Sequence, residues 1–304
     1  SYEHICTTSC QSNCNDYGKV MDRIIPKAEF RKSIVIFNLD VDVKDKAWLS
    51  YGVPFAIEQK LEQDGYLSGY SQITYGWRLS KYNKTTADVI DLSLQRQMSF
   101  LGHDDFFING NINYSDNNYK AVINIYNTKS FKKVSTDKFS NNDIFSLIDD
   151  ISIFIRKGVG VPQVHIEESI DLPASNLLTV SEDAFQKYSD GRVRMENKHE
   201  EALVFLEEAV EIDDSFVYAY KELFSVYQSM GNTEKELYVI NKLVDNIYKL
   251  PEKKEETMSG NKIKQLLPNT FINRDLRLLK NDNRGDISYL LFKDDIMLIK
   301  FVHS

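Results

Sequence analysis

The order of strand and helix patterns between residues 31 and 160 restricts the fold more than any other feature. Ser33 to Leu39 is a continuous β-branched and apolar run, typical of a buried strand. Apolar residues at helical spacing follow from Trp48 to Leu61, and Asp64-Gly65 is a helix-stop signal. The rest predicts, in order, a strand at 66–77, a helix at 85–100, strands at 106–114, 119–126 and 131–139, and a helix at 143–157. This order predicts a mixed-sheet α/β domain at residues 31–160.

Residues 179–250 carry helical patterns, and these patterns repeat. Asn197 and Gly231 stand 34 residues apart, as do Ala202 and Glu236, and this is the period of the tetratricopeptide repeat. The segment therefore predicts an α-helical, tetratricopeptide-like repeat domain. Because two such repeats bury little apolar surface by themselves, we expect them to pack on the α/β domain.

The segments that flank these two domains are less regular. Residues 1–30 form a polar lead-in, and residues 161–178, which contain Pro162 and Pro173, are interpreted as a linker. Residues 251–304 begin with a charged stretch and end with two apolar segments, 287–292 and 296–302, which predict a short C-terminal β-hairpin. The predicted fold class is thus α+β or α/β, with the mixed-sheet domain, the repeat domain and the hairpin in that order.

The three cysteines all lie in the lead-in, at Cys6, Cys10 and Cys14. With His4 they offer four zinc ligands, but structural zinc sites usually draw ligands from two separate pairs, and no second pair is present. An iron–sulfur cluster would need a fourth thiolate. The cysteines can also be free thiols, or two of them can form a disulfide, either Cys6–Cys10 or Cys10–Cys14. A disulfide would favour an oxidising compartment.

The charge balance and the apolar runs limit the partners of the chain. Lys and Arg total 37 and Asp and Glu total 45, which gives a net charge of −8. We therefore expect no direct nucleic-acid binding and no general affinity for anionic membranes. The longest apolar runs, 33–37 and 151–155, are far shorter than the roughly 20 residues of a membrane-spanning helix. A membrane anchor would have to lie outside this sequence.

The sequence predicts no catalytic residues, no metal and no cofactor. His103-Asp104-Asp105 has the residue types of an acid–base cluster, but without a partner motif we interpret it as a polar turn before a strand. Asp40, Asp42 and Asp45 resemble part of a calcium loop that lacks its glycine and its terminal glutamate. Phosphate-binding, dinucleotide-binding and serine-nucleophile motifs are missing from the sequence. We therefore expect a protein that is not an enzyme.

Four short motifs in residues 31–160 resemble the amino-terminal-type domain of TolB, in the version that is fused to tetratricopeptide repeats. They are Ile34-Val35-Ile36-Phe37, Trp48-Leu49-Ser50-Tyr51-Gly52-Val53, Phe107-Ile108-Asn109-Gly110-Asn111-Ile112 and Asp143-Ile144-Phe145. The sequence departs from that pattern after the first strand, where the usual proline is missing.

The resemblance implies a sensor. Such domain pairs occur in bacterial signalling proteins and membrane-anchored transcription regulators similar to CadC. The chain would then be their non-catalytic, ligand- or protein-binding region, in the periplasm or otherwise outside the cytoplasm. The rival interpretation is a periplasmic or cytoplasmic assembly or scaffold protein that holds a peptide in its repeats. The expected partners are a protein or peptide, a small-molecule effector, or a second copy of the chain.

The repeat pattern also predicts where a partner would bind. In tetratricopeptide repeats the first helix of each pair lines a concave face. Matching the pattern to this sequence assigns six polar and aromatic residues to that face, which suit a peptide or an acidic partner. They are Lys187, Tyr188, Arg194, Tyr218, Lys221 and Gln228.

Overall fold

The computed structural model describes residues 31–64, 66–168, 171–195, 199–247, 276–281, 288–292 and 295–299. The predicted mixed sheet is confirmed, and it has five strands. Its elements are β1 (Lys32–Ile36), α1 (Leu49–Glu62), β2 (Leu67–Ser71), α2 (Gly76–Leu79), α3 (Leu92–Gly102), β3 (Phe106–Ser115), β4 (Asn118–Asn127), β5 (Lys133–Asn141) and α4 (Ile144–Gly158). The cysteines of the lead-in lie outside the described residues.

The strands are arranged in the order β2-β1-β3-β4-β5. β1 pairs in parallel with both β2 and β3, while β4 and β5 continue the sheet as an antiparallel meander. One face of the sheet packs against α1 and α4 through residues such as Ile108 and Ile148. On the other face, Met98 of α3 joins Val35, Phe37 and Phe107 in a second apolar cluster. β2 and β3 therefore lie on opposite sides of β1 in the sheet. The direction in which the chain adds strands, its winding, reverses between β1 and β3.

The prediction of a helix at residues 85–100 was wrong for the first half of that range. The helix begins at Leu92, and residues 83–91 form an irregular segment instead. The cause is tertiary: the side-chain amide of Asn38 donates to the carbonyl oxygens of Thr86 (2.8 Å) and Asp88 (3.2 Å). These carbonyls are therefore engaged outside any helix. Asp91 caps α3 by accepting a hydrogen bond from the Leu94 amide at 2.9 Å.

Six further helices follow the sheet. They are α5 (Gln163–Glu168), α6 (Ala174–Leu177), α7 (Glu182–Arg194), α8 (His199–Ile212), α9 (Val217–Ser229) and α10 (Thr233–Ile247). In the helical unit α7–α10 each helix packs on the next. The helical unit shares its core with the α/β domain, since Phe185 of α7 meets Trp48 at 5.6 Å and Phe145 at 5.7 Å between ring centroids. The expected packing of the helical unit on the α/β domain is present.

Buried ions fix the segment between the two parts. Lys60 of α1 is almost completely buried, and its ammonium lies 2.9 Å from the Asp149 carboxylate and also contacts Asp171. Arg156 of α4 lies 3.1 Å from the same Asp171. Removing one partner from a buried ion pair lowers the free energy of unfolding by about 3–5 kcal/mol. Asp171 therefore holds the connection firmly against α1 and α4.

Three further strands are described near the C-terminus. β6 (Leu276–Asn281), β7 (Ser288–Phe292) and β8 (Asp295–Ile299) form an antiparallel sheet in that order. Residues 251–275, the predicted charged stretch among them, lie outside the described residues. Of the helices in the described ranges, none is both long enough and apolar enough to cross a bilayer.

Candidate functional site

Two of the six residues predicted for the concave face are turned towards the α/β domain. Tyr188 of α7 is fully buried, and Tyr218 of α9 is 6% exposed. Phe55 of α1 lies between them, with its ring centroid 5.1 Å from Tyr188 and 6.5 Å from Tyr218. These two tyrosines are therefore core residues in the structure. A partner could reach them only if α1 moved away.

The other four predicted residues lie nearer to solvent. Lys187 forms an ion pair with Glu208 at 2.5 Å, and Arg194 forms one with Asp190 at 3.0 Å. Lys221 is half-buried and Gln228 is exposed. The structure does not bring the six residues together as one accessible groove, and the partner-binding role stays a prediction for all six.

A crevice opens instead where the winding of the sheet reverses. Asp40, just beyond β1, pairs with β3: its amide donates to the Gly110 carbonyl at 3.0 Å, and its carbonyl accepts from the Ile112 amide at 2.8 Å. β1 ends just before this point while β3 runs on, and the helices that follow β1 and precede β3 lie on opposite faces of the sheet. Ligands of open α/β sheets bind at this kind of position, outside the carboxyl ends of the strands. The crevice has a volume of about 500 Å³.

Four segments join Asp40 in building the walls of the crevice. The irregular segment before α3 forms one wall, and the Asn38 and Gln72 amides hold it there; Gln72 Nε2 donates to the Asp88 carbonyl at 2.7 Å. α3, β3 and β4 supply the other walls. The lining residues are Asp40, Val89, Ile90, Asp91, Leu92, Gln95, Asn109, Gly110, Asn111, Asn124 and Tyr126.

A chain of side-chain amides crosses the floor of the crevice. The Asn109 side-chain nitrogen donates to Gln95 Oε1 at 2.6 Å, and Asn109 Oδ1 accepts from the Asn124 side-chain nitrogen at 3.1 Å. Thr136 of β5 continues the chain by donating to Asn124 Oδ1 at 2.9 Å. Register sets this arrangement, because Asn109, Asn124 and Thr136 stand opposite one another on three adjacent strands. The amides present both donors and acceptors in fixed directions.

The charge of the crevice restricts what it can hold. Asp40 and Asp91 contribute carboxylates, and among the described lining residues none is basic. Tyr126 adds an aromatic ring, which stacks on Phe107 with the ring planes 4° apart. The lining therefore favours neutral or cationic polar molecules over phosphates and other anions. Within the described ranges, no group of three or more His, Cys, Asp or Glu residues could hold a metal ion.

The His103-Asp104-Asp105 segment does not belong to the crevice. Asp104 is buried and accepts hydrogen bonds from the hydroxyls of Ser33 (2.8 Å), Tyr75 (2.6 Å) and Tyr70. Burial raises the pKa of this carboxyl to about 7, against the lowering effect of the Ser33 hydroxyl. His103 ends α3 in the left-handed conformation. The segment ties the start of β3 to β1, β2 and the turn before α2.

The crevice was not predicted from the sequence, although the sequence contains one signal for it. Asn109, Asn111 and Asn113 alternate along β3 with the apolar Ile108 and Ile112. Alternation at period two puts the three amides on one face of the sheet, away from the core. A polar row of this kind on a strand beside a buried parallel strand is the pattern that could have identified the site.

Comparisons with known proteins show distant structural likeness. No model of a known protein family matches the chain, and no curated protein matches it. Similar solved structures include the C-terminal domain of LpoB from Salmonella enterica, at 8% identity and a TM-score of 0.29, covering 37% of this chain and 83% of that one. Lipoprotein GNA1162 from Neisseria meningitidis has 12% identity and a TM-score of 0.32, covering 42% and 97%. TolB from Acinetobacter baumannii has 12% identity and a TM-score of 0.27, covering 42% and 27%.

Proposed function

We propose that this chain is the non-catalytic sensor region of a bacterial signalling protein or membrane-anchored transcription regulator, and that the crevice binds its effector. The observation that carries the proposal is the position and lining of the crevice. It lies at the winding reversal of the sheet, where ligands bind in open α/β folds, and fixed amides line it.

The chemistry of the lining supports binding rather than catalysis. Carboxamides, two carboxylates and a tyrosine can hold hydroxyl, amide or ammonium groups. Among the described lining residues, no serine, cysteine or lysine stands beside a base, so the crevice offers no activated nucleophile. The effector in this proposal is a small neutral or cationic polar molecule.

The path from the crevice to the helical unit supports a sensing role. Asp40 lies between β1 and α1, and α1 carries Phe55 into the helical unit. A ligand that shifts Asp40 would therefore act on the element that contacts Tyr188 and Tyr218. In this proposal α7–α10 are tetratricopeptide-like hairpins that pass the signal on, and the C-terminal hairpin is a small capping element.

The runner-up function is an assembly or scaffold protein that holds a peptide in its repeats. The buried positions of Tyr188 and Tyr218 favour the sensor over this second function. A location outside the cytoplasm is part of the sensor proposal, and its support is the sequence resemblance.

A ligand screen with paired variants tests the proposal. The probes are neutral sugars, polyols and free amino acids, detected by saturation-transfer NMR and quantified by calorimetry. Asn124→Val removes one fixed amide from the crevice. It should weaken the affinity for a bound probe by roughly three- to tenfold, which corresponds to the loss of one hydrogen bond. Lys120→Val changes an exposed residue on the same strand and face, outside the lining, and should leave affinity unchanged. Equal affinities of the two variants would contradict the assignment of the site.

A further inference from the structure

A surface rich in aromatic rings and basic side chains covers the outer side of α3 and the turns beside it. Trp77 is 58% exposed and Phe100 is 59% exposed, which is unusual for rings of this size. We call this region the aromatic–basic surface. Its members are Trp77, Arg78, Lys81, Tyr82, Arg96, Phe100, Phe131 and Lys133.

Its first part is built around the indole of Trp77. The Arg78 guanidinium lies 5.0 Å and the Lys81 ammonium 4.8 Å from the centroid of that ring, so two cations flank it. Gln97 of α3 donates a hydrogen bond to the Tyr82 hydroxyl at 2.8 Å. This bond joins the turn after α2 to the outer side of α3 and makes the surface continuous.

Its second part is the turn between β4 and β5. Phe131 has a φ of 56°, a left-handed conformation that is costly for a bulky residue. Its amide donates to the Asn127 carbonyl at 2.8 Å, which holds the turn closed. The turn holds the Phe131 ring against the Arg96 guanidinium, 3.1 Å from the ring centroid, and 6.5 Å from the Phe100 ring. A strained residue that supports an exposed aromatic–cation cluster points to a role for that cluster.

The charge of this surface opposes that of the whole chain. The net charge of the chain is −8, yet Arg78, Lys81, Arg96 and Lys133 gather here, and the adjoining turns add exposed Lys84, Lys129 and Lys132. Two nearby carboxylates, Asp88 and Asp91, accept hydrogen bonds from backbone amides and keep their negative charge, so the basic side chains named here outnumber these two carboxylates. The surface is therefore complementary to an anionic partner.

We propose that the aromatic–basic surface docks on the anionic headgroups of a lipid bilayer. Trp and Tyr rings beside long basic side chains suit the headgroup level of a membrane, where the rings enter and the charges stay in contact with lipid phosphates. Leu101 of α3, next to Phe100 in the chain, is about half exposed and adds apolar area on the same helix. The favoured partner is therefore lipid rather than an acidic protein. The contact depends on local charge, which the net charge of the chain conceals.

Tryptophan fluorescence tests this directly, because Trp77 is exposed and the second tryptophan, Trp48, is 2% exposed. The full chain is titrated with vesicles of phosphatidylcholine alone and of phosphatidylcholine mixed with phosphatidylglycerol. We expect a blue shift and co-sedimentation with the mixed vesicles only, weakened by added salt. Trp77→Phe should abolish the blue shift.

Paired charge variants identify the surface. Lys81→Gln combined with Arg96→Gln should weaken vesicle binding about 25-fold, since each basic residue contributes about fivefold near an anionic surface. Lys44→Gln combined with Lys235→Gln removes the same charge from exposed positions elsewhere and should have little effect. Equal loss in both pairs, no vesicle binding at low salt, or equal binding to neutral vesicles would overturn the proposal. Binding to polyglutamate without binding to vesicles would also overturn it, and would assign the surface to an acidic protein.

Discussion

Replacing Phe55 with alanine should destabilise the whole chain, because this side chain joins the two parts of the molecule. Phe55 is 4% exposed and packs between Tyr188 and Tyr218. Truncating a buried phenylalanine costs about 3–5 kcal/mol of unfolding free energy. For a chain of this size each kcal/mol lowers the melting temperature by about 2–4 °C. We expect Phe55→Ala to lower the Tm by about 6–20 °C.

Calorimetry and urea unfolding, followed by circular dichroism, measure this effect. Phe100→Ala is the matched control, since it makes the same substitution at an exposed position and should change stability by no more than about 0.5 kcal/mol. Phe55→Ala should also separate the unfolding of the helical unit from that of the sheet. The reasoning fails if the two variants lose equal stability, because α1 would then not be docked between Tyr188 and Tyr218.

Three further predictions follow from local geometry. Gly52→Ala should lower the free energy of unfolding, measured with urea, by about 1–3 kcal/mol, because the new Cβ would lie 2.7 Å from Ser189 Oγ. Combining it with Ser189→Gly should restore part of the lost stability. Burial raises the pKa of Asp104 from its ordinary 3.8 to about 7, so native protein retains a proton that unfolded chain releases, and this group's contribution to stability falls as pH rises from about 4 to about 7. Asp104→Asn should flatten that part of the stability profile measured by urea unfolding; an unchanged slope would disprove the shift. Protein isolated without reductant should contain one disulfide, and three titratable thiols would contradict this expectation for Cys6, Cys10 and Cys14.

The meander of the sheet could be predicted from the sequence because its signals are local. β3 and β4 alternate at period two, and turn-forming residues such as Asn117 and Asn127 separate the three strands of the meander. The helices α1 and α4 carry apolar faces with clear ends for the same reason. In each case the chain needs no distant partner to choose its local structure.

The start of α3 could not be predicted because it depends on distant residues, and the polar row on β3 does not by itself place the crevice. Asn38 and Gln72 hold the segment before α3 in an irregular conformation, and neither is near it in sequence. The crevice needs the strand order, which local patterns do not contain. The repeat pattern assigns Tyr188 and Tyr218 to a concave face, and in the structure both are buried. Their burial depends on α1, an element more than a hundred residues away from either.

Amide chemical-shift mapping with the tightest probe from the ligand screen would show where the chain binds its effector. Our account predicts that the largest shifts fall on the walls of the crevice, at Val89–Asp91 and Asn109–Asn111, with smaller shifts along α1. Shifts confined to α7–α10 would contradict the account, because the helical unit rather than the crevice would then hold the ligand.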